Sequence, residues 1–312
     1  MSEGPRLSLA IPVYNEEQIL PELLRRIRCV LSEIPGGPHE MVFVDDGSSD
    51  RTFEILAAAA TEDSRIVAIS LSRNFGHQSA LSAALDNVSG DIIVIMDGDL
   101  QDPPEAIPRF IEEHKRGFDV VYARRINRKE GWILRLCYFL FYRMLAILAN
   151  IRLPLDAGDF ALLSSRIVEE LKRIPEHQRY LRGLRAWVGF RQIGIPVERS
   201  ERLSGNSKYS PLKLFRLALD GIFAFSVLPL RAAAMLGFLA IAGSLLFAMY
   251  SLYVKLFLDQ SPQGFTALIL AITFLSGVQL LFLGVIGEYL GRVYEETKGR
   301  PHYVIGKIVG RP

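Results

Sequence analysis

Four short apolar runs, each ending in polar residues, alternate with helical patterns over the first part of the chain. The runs are LSLAIPVYN, EMVFVDD, RIVAISLS and DIIVIMDGD. Between the first three runs, EEQILPELLRRIRCVLSEI and DRTFEILAAAAT have apolar residues at helical spacing, and Asp50 is the expected N-cap of the second segment. Strands that alternate with helices form a mainly parallel sheet covered on both faces. The sequence therefore predicts a doubly wound α/β domain, in which ligands bind beyond the carboxyl ends of the strands.

Two longer apolar runs, Ala232–Leu256 and Phe265–Ile286, follow toward the end of the chain. A helix needs about 20 apolar residues to cross a hydrocarbon core about 30 Å thick, and both runs reach that length. Arg231 precedes the first run and several basic residues follow the second, which predicts that both outer flanks lie in the cytoplasm. The alternative, a pair of buried core helices, is disfavoured because such helices are usually shorter and less apolar.

Two further stretches have the mixed basic and aromatic pattern of helices that lie along a membrane surface. They are GWILRLCYFLFYRMLAILANI, where Arg135 and Arg143 make a third span costly, and SPLKLFRLALDGIFAFSVLPL. The predicted organisation is a cytoplasmic domain over 1–210 with an interfacial helix at 130–150, a juxtamembrane helix at 211–230, two transmembrane helices over 231–290 and a cytoplasmic tail over 291–312.

Composition excludes several classes of protein. Half of the residues are hydrophobic, which is high for a protein without lipid contact, and the net charge of +2 gives no global field for nucleic acid. Cys29 and Cys137 have no paired zinc-ligand spacing, and the five histidines form no HExxH pattern. The start of the chain lacks the pattern of a cleavable signal peptide. We therefore expect a membrane protein of a reducing compartment without a structural metal cage.

The fourth apolar run ends in an aspartate pair, Asp97 and Asp99, separated by Gly98. In extended backbone, two carboxylates two residues apart project the same way, and a glycine between them lets the backbone approach a bulky anion. The following QDPP is a rigid turn. Carboxylate oxygens suit Mg²⁺ or Mn²⁺ bound together with substrate phosphates. A solvated acidic turn is the alternative for this pair in isolation.

The other strand ends carry IPVYNEE, VDDGSSD and SRNFGHQSA, so polar groups converge on one edge of the predicted sheet. Taken singly, each motif is explained as a cap or a turn. Together with DGDLQDPP they resemble the family 2 inverting glycosyltransferases, and more narrowly the branch of dolichol-phosphate mannose synthase and bactoprenol glucosyltransferase. The resemblance covers nearly the whole chain, including the two apolar runs. It implies a GT-A fold that uses a nucleotide sugar and a divalent cation, Mg²⁺ or Mn²⁺.

The resemblance also implies roles for individual residues on the donor side. The nucleoside would be held by Pro12, Tyr14, Asn15, Glu17, Asp45 and Asp46. The metal would be held by Asp97 and Asp99, with Gln101 beside the diphosphate. RLSGNSKYS resembles the family's R-x-x-G-x-S-K-Y stretch and would bring Arg202, Ser207 and Lys208 to phosphates. A basic loop that lies on anionic headgroups is the alternative for this stretch.

In the family, an acidic motif similar to PLDAGDFALLS lies beside the sugar-transfer centre, which makes Asp156 or Asp159 the catalytic candidate. Many relatives have Arg directly after the Phe, where this chain has Ala161, so a phosphate contact from this motif is not expected. Basic residues in YARRINRKEG either neutralise an acceptor phosphate or attract the membrane surface; they are Arg124, Arg125 and Arg128.

The function that the resemblance implies is transfer of a hexose, with glucose from UDP-glucose favoured, to undecaprenyl or dolichyl phosphate in the plasma membrane. Two alternatives stay open at this point. A processive polysaccharide synthase would share the donor motifs, but the chain lacks the Q-x-x-R-W pattern, with Trp187 displaced from it. A non-catalytic nucleotide-sensing membrane scaffold would be expected to have lost the aspartate pair. Glycines in the apolar runs also allow helices to pack closely in a homo-oligomer.

Overall fold

The computed structural model describes residues 5–125, 157–176, 179–198, 228–258 and 264–310. The strands are β1 (Leu7–Val13), β2 (Glu40–Asp45), β3 (Ile66–Leu71), β4 (Ile92–Ile95), β5 (Val120–Arg125), β6 (Ala157–Ser164), β7 (Gln192–Val197) and β8 (Ile305–Val309). The helices are α1 (Leu20–Glu33), α2 (Thr52–Glu62), α3 (His77–Asp86), α4 (Ile107–Lys115), α5 (Ser165–Arg173), α6 (Leu181–Trp187), α7 (Leu228–Leu258) and α8 (Phe265–Thr297).

The described strands form one mixed sheet in the order β7-β5-β6-β4-β1-β2-β3-β8. The four strands predicted from the apolar runs are β1 to β4, and all of their pairings with one another are parallel. β6 and β8 run antiparallel to their neighbours, while β5 and β7 are parallel to each other. The predicted doubly wound, mainly parallel sheet is therefore confirmed.

Helices cover the sheet on both faces because successive side chains of a strand point to opposite sides. Leu9 of β1 packs in a core with α1, α2 and α4, whereas its neighbour Ala10 packs in a second core with α3, α5 and α6. The cap of α2 differs from the expected one. Arg51 precedes this helix, and Asp50 instead accepts the amide of Thr52 through Oδ1 at 3.0 Å.

The last strand, β8, was not anticipated from the sequence, which suggested only a tail over 291–312. It pairs antiparallel with β3, with Ala68 opposite Val309. The Tyr303 hydroxyl donates to Asp86 Oδ2 at 2.8 Å and ties the segment before β8 to the end of α3. Residues 300–310 thus belong to the same compact unit as the rest of the sheet.

The second compact unit contains α7 and α8. Each includes a stretch long and apolar enough to cross a membrane, Leu230–Phe257 and Ala271–Thr297, with only 6% and 0% of the most apolar part buried. Soluble core helices would be mostly buried, so these helices support the predicted membrane association. The interfacial helix at 130–150 and nearly all of the juxtamembrane helix at 211–230 lie outside the described residues.

Candidate active site

The register of β4 and β6 brings Asp97 and Asp159 to the same place. β6 runs antiparallel to β4, with Ala161 opposite Ile95. Asp97 lies two residues after Ile95, and Asp159 lies two residues before Ala161, so the two aspartates reach the same end of this strand pair. The carboxyl edge of the parallel strands therefore receives one carboxylate from the DGD motif and one from the DAGDF motif. Ala161, which replaces the Arg of many relatives, is fully buried and presents no side chain to a ligand.

His77 joins these two carboxylates. Its Nε2 lies 3.6 Å from Asp97 Oδ1 and 4.0 Å from Asp159 Oδ2. Within the described parts of the chain, these three side chains form a group whose possible metal-ligand atoms all lie within 4.8 Å of one another. His77 lies inside SRNFGHQSA, but the sequence alone predicts no role for it, because one histidine at the start of a helix carries no signal of its own.

Asp46, at the end of β2, fixes the loop that leads into His77. Its Oδ1 accepts the amide of Phe75 at 2.8 Å and its Oδ2 accepts the amide of Gly76 at 2.9 Å. Burial raises the pKa of Asp46 above its ordinary value, although the two amides oppose the shift. The carboxylate thus anchors the start of α3. A direct contact between Asp46 and the nucleoside stays a prediction.

The loops after β1 and β2 are bonded to each other. The Asn15 amide donates to Ser48 Oγ at 2.9 Å, and Asn15 Oδ1 accepts the amide of Ser49 at 2.9 Å. The buried Asp45 accepts the Ser48 amide at 3.1 Å and the Ser70 hydroxyl at 3.2 Å. Two sequence motifs are therefore parts of one polar framework.

Other predicted nucleoside residues lie at the same edge. Pro12 is within β1, Glu17 Oε2 accepts the amide of Arg51 at 3.1 Å, and Tyr14 is 47% exposed. An exposed tyrosine ring beside this framework offers a stacking surface. Their contact with a nucleoside stays a prediction.

Arg182 binds Asp159 through both guanidinium arms. Arg182 Nε donates to Asp159 Oδ1 at 2.6 Å, and Nη2 donates to Oδ2. Burial favours the neutral acid, but Arg182, together with His77 and Arg185, keeps the pKa of Asp159 below its ordinary value. One turn along α6, burial lowers the pKa of Arg185 to about 10, which leaves this guanidinium charged at neutral pH. In the sequence, this stretch stands out only by lacking the Q-x-x-R-W pattern, and nothing there indicates a role for Arg182.

The DGD turn passes very close to β1. A Cβ on Gly98 would lie 2.5 Å from Val13 Cγ1, so a larger residue would displace the turn. Asp99 Oδ1 accepts the amide of Gln101 at 3.1 Å. Asp99 is not a member of the His77, Asp97 and Asp159 group, and its role as a metal ligand stays a prediction.

The predicted acceptor-side residues are placed only in part. Arg124 lies exposed in β5, opposite Ala157 of β6, and the backbone of Arg125 ends that strand. The other predicted positions, Asp156, Arg128, Arg202, Ser207 and Lys208, lie outside the described residues.

Comparison with known proteins identifies relatives along nearly the whole chain. The model of the family described as "Glycosyl transferase family 2" matches residues 8–172. The uncharacterized glycosyltransferase YkcC of Bacillus subtilis (strain 168) is 43% identical over 311 residues, which cover 99% of this chain and 96% of that protein. A bactoprenol glucosyl transferase of Shigella phage SfII is 39% identical over 303 residues, covering 97% of this chain and 98% of that protein.

Solved structures give more distant matches. Glucosyl-3-phosphoglycerate synthase from Mycobacterium tuberculosis, crystallised with Mn²⁺, UDP-glucose and phosphoglyceric acid, is 22% identical with a TM-score of 0.47, covering 70% of this chain and 78% of that one. Staphylococcus aureus TarS in complex with UDP-GlcNAc is 19% identical with a TM-score of 0.46, covering 70% of this chain and 66% of that one.

Proposed function

The chain belongs to glycosyl transferase family 2, and from this premise we propose that it transfers glucose from UDP-glucose to a membrane polyprenyl phosphate. The observation that carries the proposal is the 39% identity with a bactoprenol glucosyl transferase over 97% of this chain, a span that includes both apolar helices. Sequence similarity limited to the sheet domain would support only the assignment of a glycosyltransferase activity, without the lipid acceptor.

On the donor side, we assign the framework at the ends of β1 and β2 to the nucleoside. The assigned residues are Pro12, Tyr14, Asn15, Glu17, Asp45 and Asp46. Gln101 and the basic stretch that contains Arg202, Ser207 and Lys208 are assigned to the diphosphate and sugar. The support is that the first set lies at the carboxyl edge of the sheet, where ligands bind in doubly wound folds.

A divalent cation fits the chemistry of the described donor set. Asp97 and Asp99 offer carboxylate oxygens at the end of β4, and such oxygens suit Mg²⁺ or Mn²⁺. When bound, the cation would neutralise negative charge on the leaving diphosphate. Gly98 and the Gln101 amide hold the turn that carries the two carboxylates.

In the proposed reaction, an acceptor phosphate oxygen forms a bond to the anomeric carbon of glucose, while the bond from that carbon to the UDP oxygen breaks. Attack from the side opposite the leaving group inverts the anomeric centre. A phosphate monoester has its second pKa near 6, so the nucleophile is largely ionised at neutral pH without a strong base.

Asp159, held ionised by Arg182, is suited to orient reacting groups, and Asp156 is the second candidate for this role. Arg124, Arg125 and Arg128 are proposed to neutralise the acceptor phosphate.

The acceptor's prenyl chain requires that the enzyme be held at a membrane. We propose that α7 and α8 cross the plasma membrane and that the sheet domain and both termini are cytoplasmic. Two crossings return the chain to the side that it left, which agrees with β8 following α8 in sequence and pairing with β3. We also propose that the glycines of α7 and α8 let these helices pack closely against those of neighbouring copies in a homo-oligomer.

A donor screen tests this function. The purified protein is reconstituted in vesicles that contain undecaprenyl phosphate and is incubated separately with UDP-glucose, GDP-mannose and UDP-N-acetylglucosamine. The masses of the lipid products are measured by mass spectrometry. We expect one hexose on the carrier with UDP-glucose only. A product from another donor would mean that the assigned donor sugar is wrong. A polymer would indicate a processive synthase. Nucleotide binding without any product would indicate a non-catalytic scaffold.

A further inference from the structure

We propose that His77 Nε2 is a direct ligand of the divalent cation, together with Asp97, and that Asp159 Oδ2 occupies the third corner of the same face. This inference rests on the proposed use of a cation in glucose transfer. It adds an imidazole, carried by a different element of the fold, to a site that the sequence assigned to the aspartate pair alone.

The distances suit one cation touching all three side chains. Two ligands at right angles, each ~2.1 Å from a cation, lie ~3 Å apart, and two opposite ligands lie ~4.2 Å apart. His77 Nε2 is 3.6 Å from Asp97 Oδ1 and 4.0 Å from Asp159 Oδ2. Small side-chain rotations would therefore bring the three atoms into one coordination sphere.

Hydrogen bonds on both sides of His77 in the sequence hold it at this position. The Phe75 and Gly76 amides are bonded to the buried Asp46, so the loop before His77 is tied to the end of β2. His77 then begins α3, and the Leu181 amide donates to Gln78 Oε1 at 3.1 Å, which ties the same turn to α6. With 45% of its side chain exposed, the imidazole is accessible to a ligand that enters from solvent.

The charges around His77 also favour a cation. Asp97 and Asp159 bring two carboxylates to the imidazole, and Arg182 pairs with Asp159. A carboxylate has about four lone-pair positions, so Asp159 can hold Arg182 and still face the cation. A neutral imidazole offers a nitrogen lone pair, which suits Mn²⁺ or Co²⁺ better than Mg²⁺. We therefore expect the site to select Mn²⁺ over Mg²⁺ more strongly than an all-carboxylate site would.

Electron spin-echo envelope modulation of Mn²⁺ tests the bond directly. The full-length protein is loaded with Mn²⁺ and UDP, once with natural histidine and once with [¹⁵N]histidine. We expect strong ¹⁴N modulation that changes to the ¹⁵N pattern on labelling and disappears in His77→Gln. The matched control is His114→Gln, because the His114 ring contacts the Phe118 carbonyl beside the amino end of β5, at the opposite edge of the sheet.

Metal affinity gives a second readout that does not depend on turnover. We expect His77→Gln to weaken Mn²⁺ binding by ~10- to 100-fold and Mg²⁺ binding by less, while His114→Gln changes neither. Bound Mn²⁺ without histidine nitrogen coupling would overturn this inference and leave the cation at the aspartate pair. Failure of Mn²⁺ to bind at all, with or without UDP, would overturn both this inference and the proposed metal dependence.

Discussion

The guanidinium of Arg182 binds both carboxylate oxygens of Asp159, at the point where β6 enters the edge of the sheet beside Asp97. Asp159 is 8% exposed, so its charge depends on this partner. A carboxylate held in this way is a poor proton acceptor but a fixed negative charge. This arrangement favours an orienting role for Asp159 over a role as general base.

Arg182→Met should destabilise the sheet domain by about 3–5 kcal/mol near neutral pH, because it removes the guanidinium that binds both oxygens of a buried carboxylate. The pKa of Asp159 is lowered in the folded protein, so the stability that Arg182 contributes is complete above the ordinary pKa of 3.8 and is lost as pH falls through the folded value. Denaturant unfolding of both proteins at pH 7 and near pH 3 measures the effect. A difference that does not shrink in acid would contradict the pairing.

Asp99→Ala should reduce metal-dependent glucose transfer by 100-fold or more if the aspartate pair stabilises the leaving diphosphate, as expected for a group that acts on developing charge. Glu105→Gln is the matched control, because Glu105 is an exposed carboxylate of the following turn whose partner is Arg26. Initial rates across a Mn²⁺ titration measure the effect. Full metal-dependent activity of the Asp99 variant would show that Asp99 is not a ligand.

Gly310→Ala should destabilise the protein more than Gly299→Ala. Both glycines have positive φ, at 90° and 58°, so each alanine carries a backbone cost of ~1–2 kcal/mol. A Cβ on Gly310 would also lie 2.2 Å from the Ile66 carbonyl oxygen, whereas one on Gly299 meets nothing within 4 Å. Thermal unfolding in detergent measures the difference. Equal losses would indicate that β8 does not pair with β3.

Leu245→Arg combined with Leu281→Arg should weaken membrane integration, because an arginine at the centre of a span costs about 2.5–3.5 kcal/mol. Both leucines are exposed on α7 and α8. The pair Leu245→Ala and Leu281→Ala controls for lost side-chain volume. Extraction with alkaline carbonate measures integration, and equal resistance of the arginine and alanine variants would contradict the spans.

The sequence was sufficient to predict the central sheet, because β1 to β4 are unbroken apolar runs and their polar ends mark one edge. It did not indicate β8, since IGKIV is only five residues long, does not alternate apolar and polar residues, and lies at the edge of the sheet. The sequence also did not indicate that β6 runs antiparallel to β4 and so begins at the edge of the sheet where β4 ends. The direction of a strand in a sheet depends on how the chain connects the strands, not on the composition of the strand.

The missed site residues, His77 and Arg182, share one physical reason. Their partners lie far away in sequence: His77 meets Asp97 and Asp159, and Arg182 meets Asp159. Each lies at the start of a helix, where a polar residue is ordinary. By contrast, Asp97 was identified because a carboxylate directly after a buried strand is unusual by itself.

The most direct measurement of the central claim is transfer of radiolabelled glucose from UDP-glucose to undecaprenyl phosphate in reconstituted vesicles, comparing the native protein with Asp97→Asn. The account predicts an organic-extractable product that carries one inverted glucose per carrier with the native protein and less than about one hundredth of it with the variant. Equal product from the two proteins, or release of free glucose without a lipid-linked product, would contradict it.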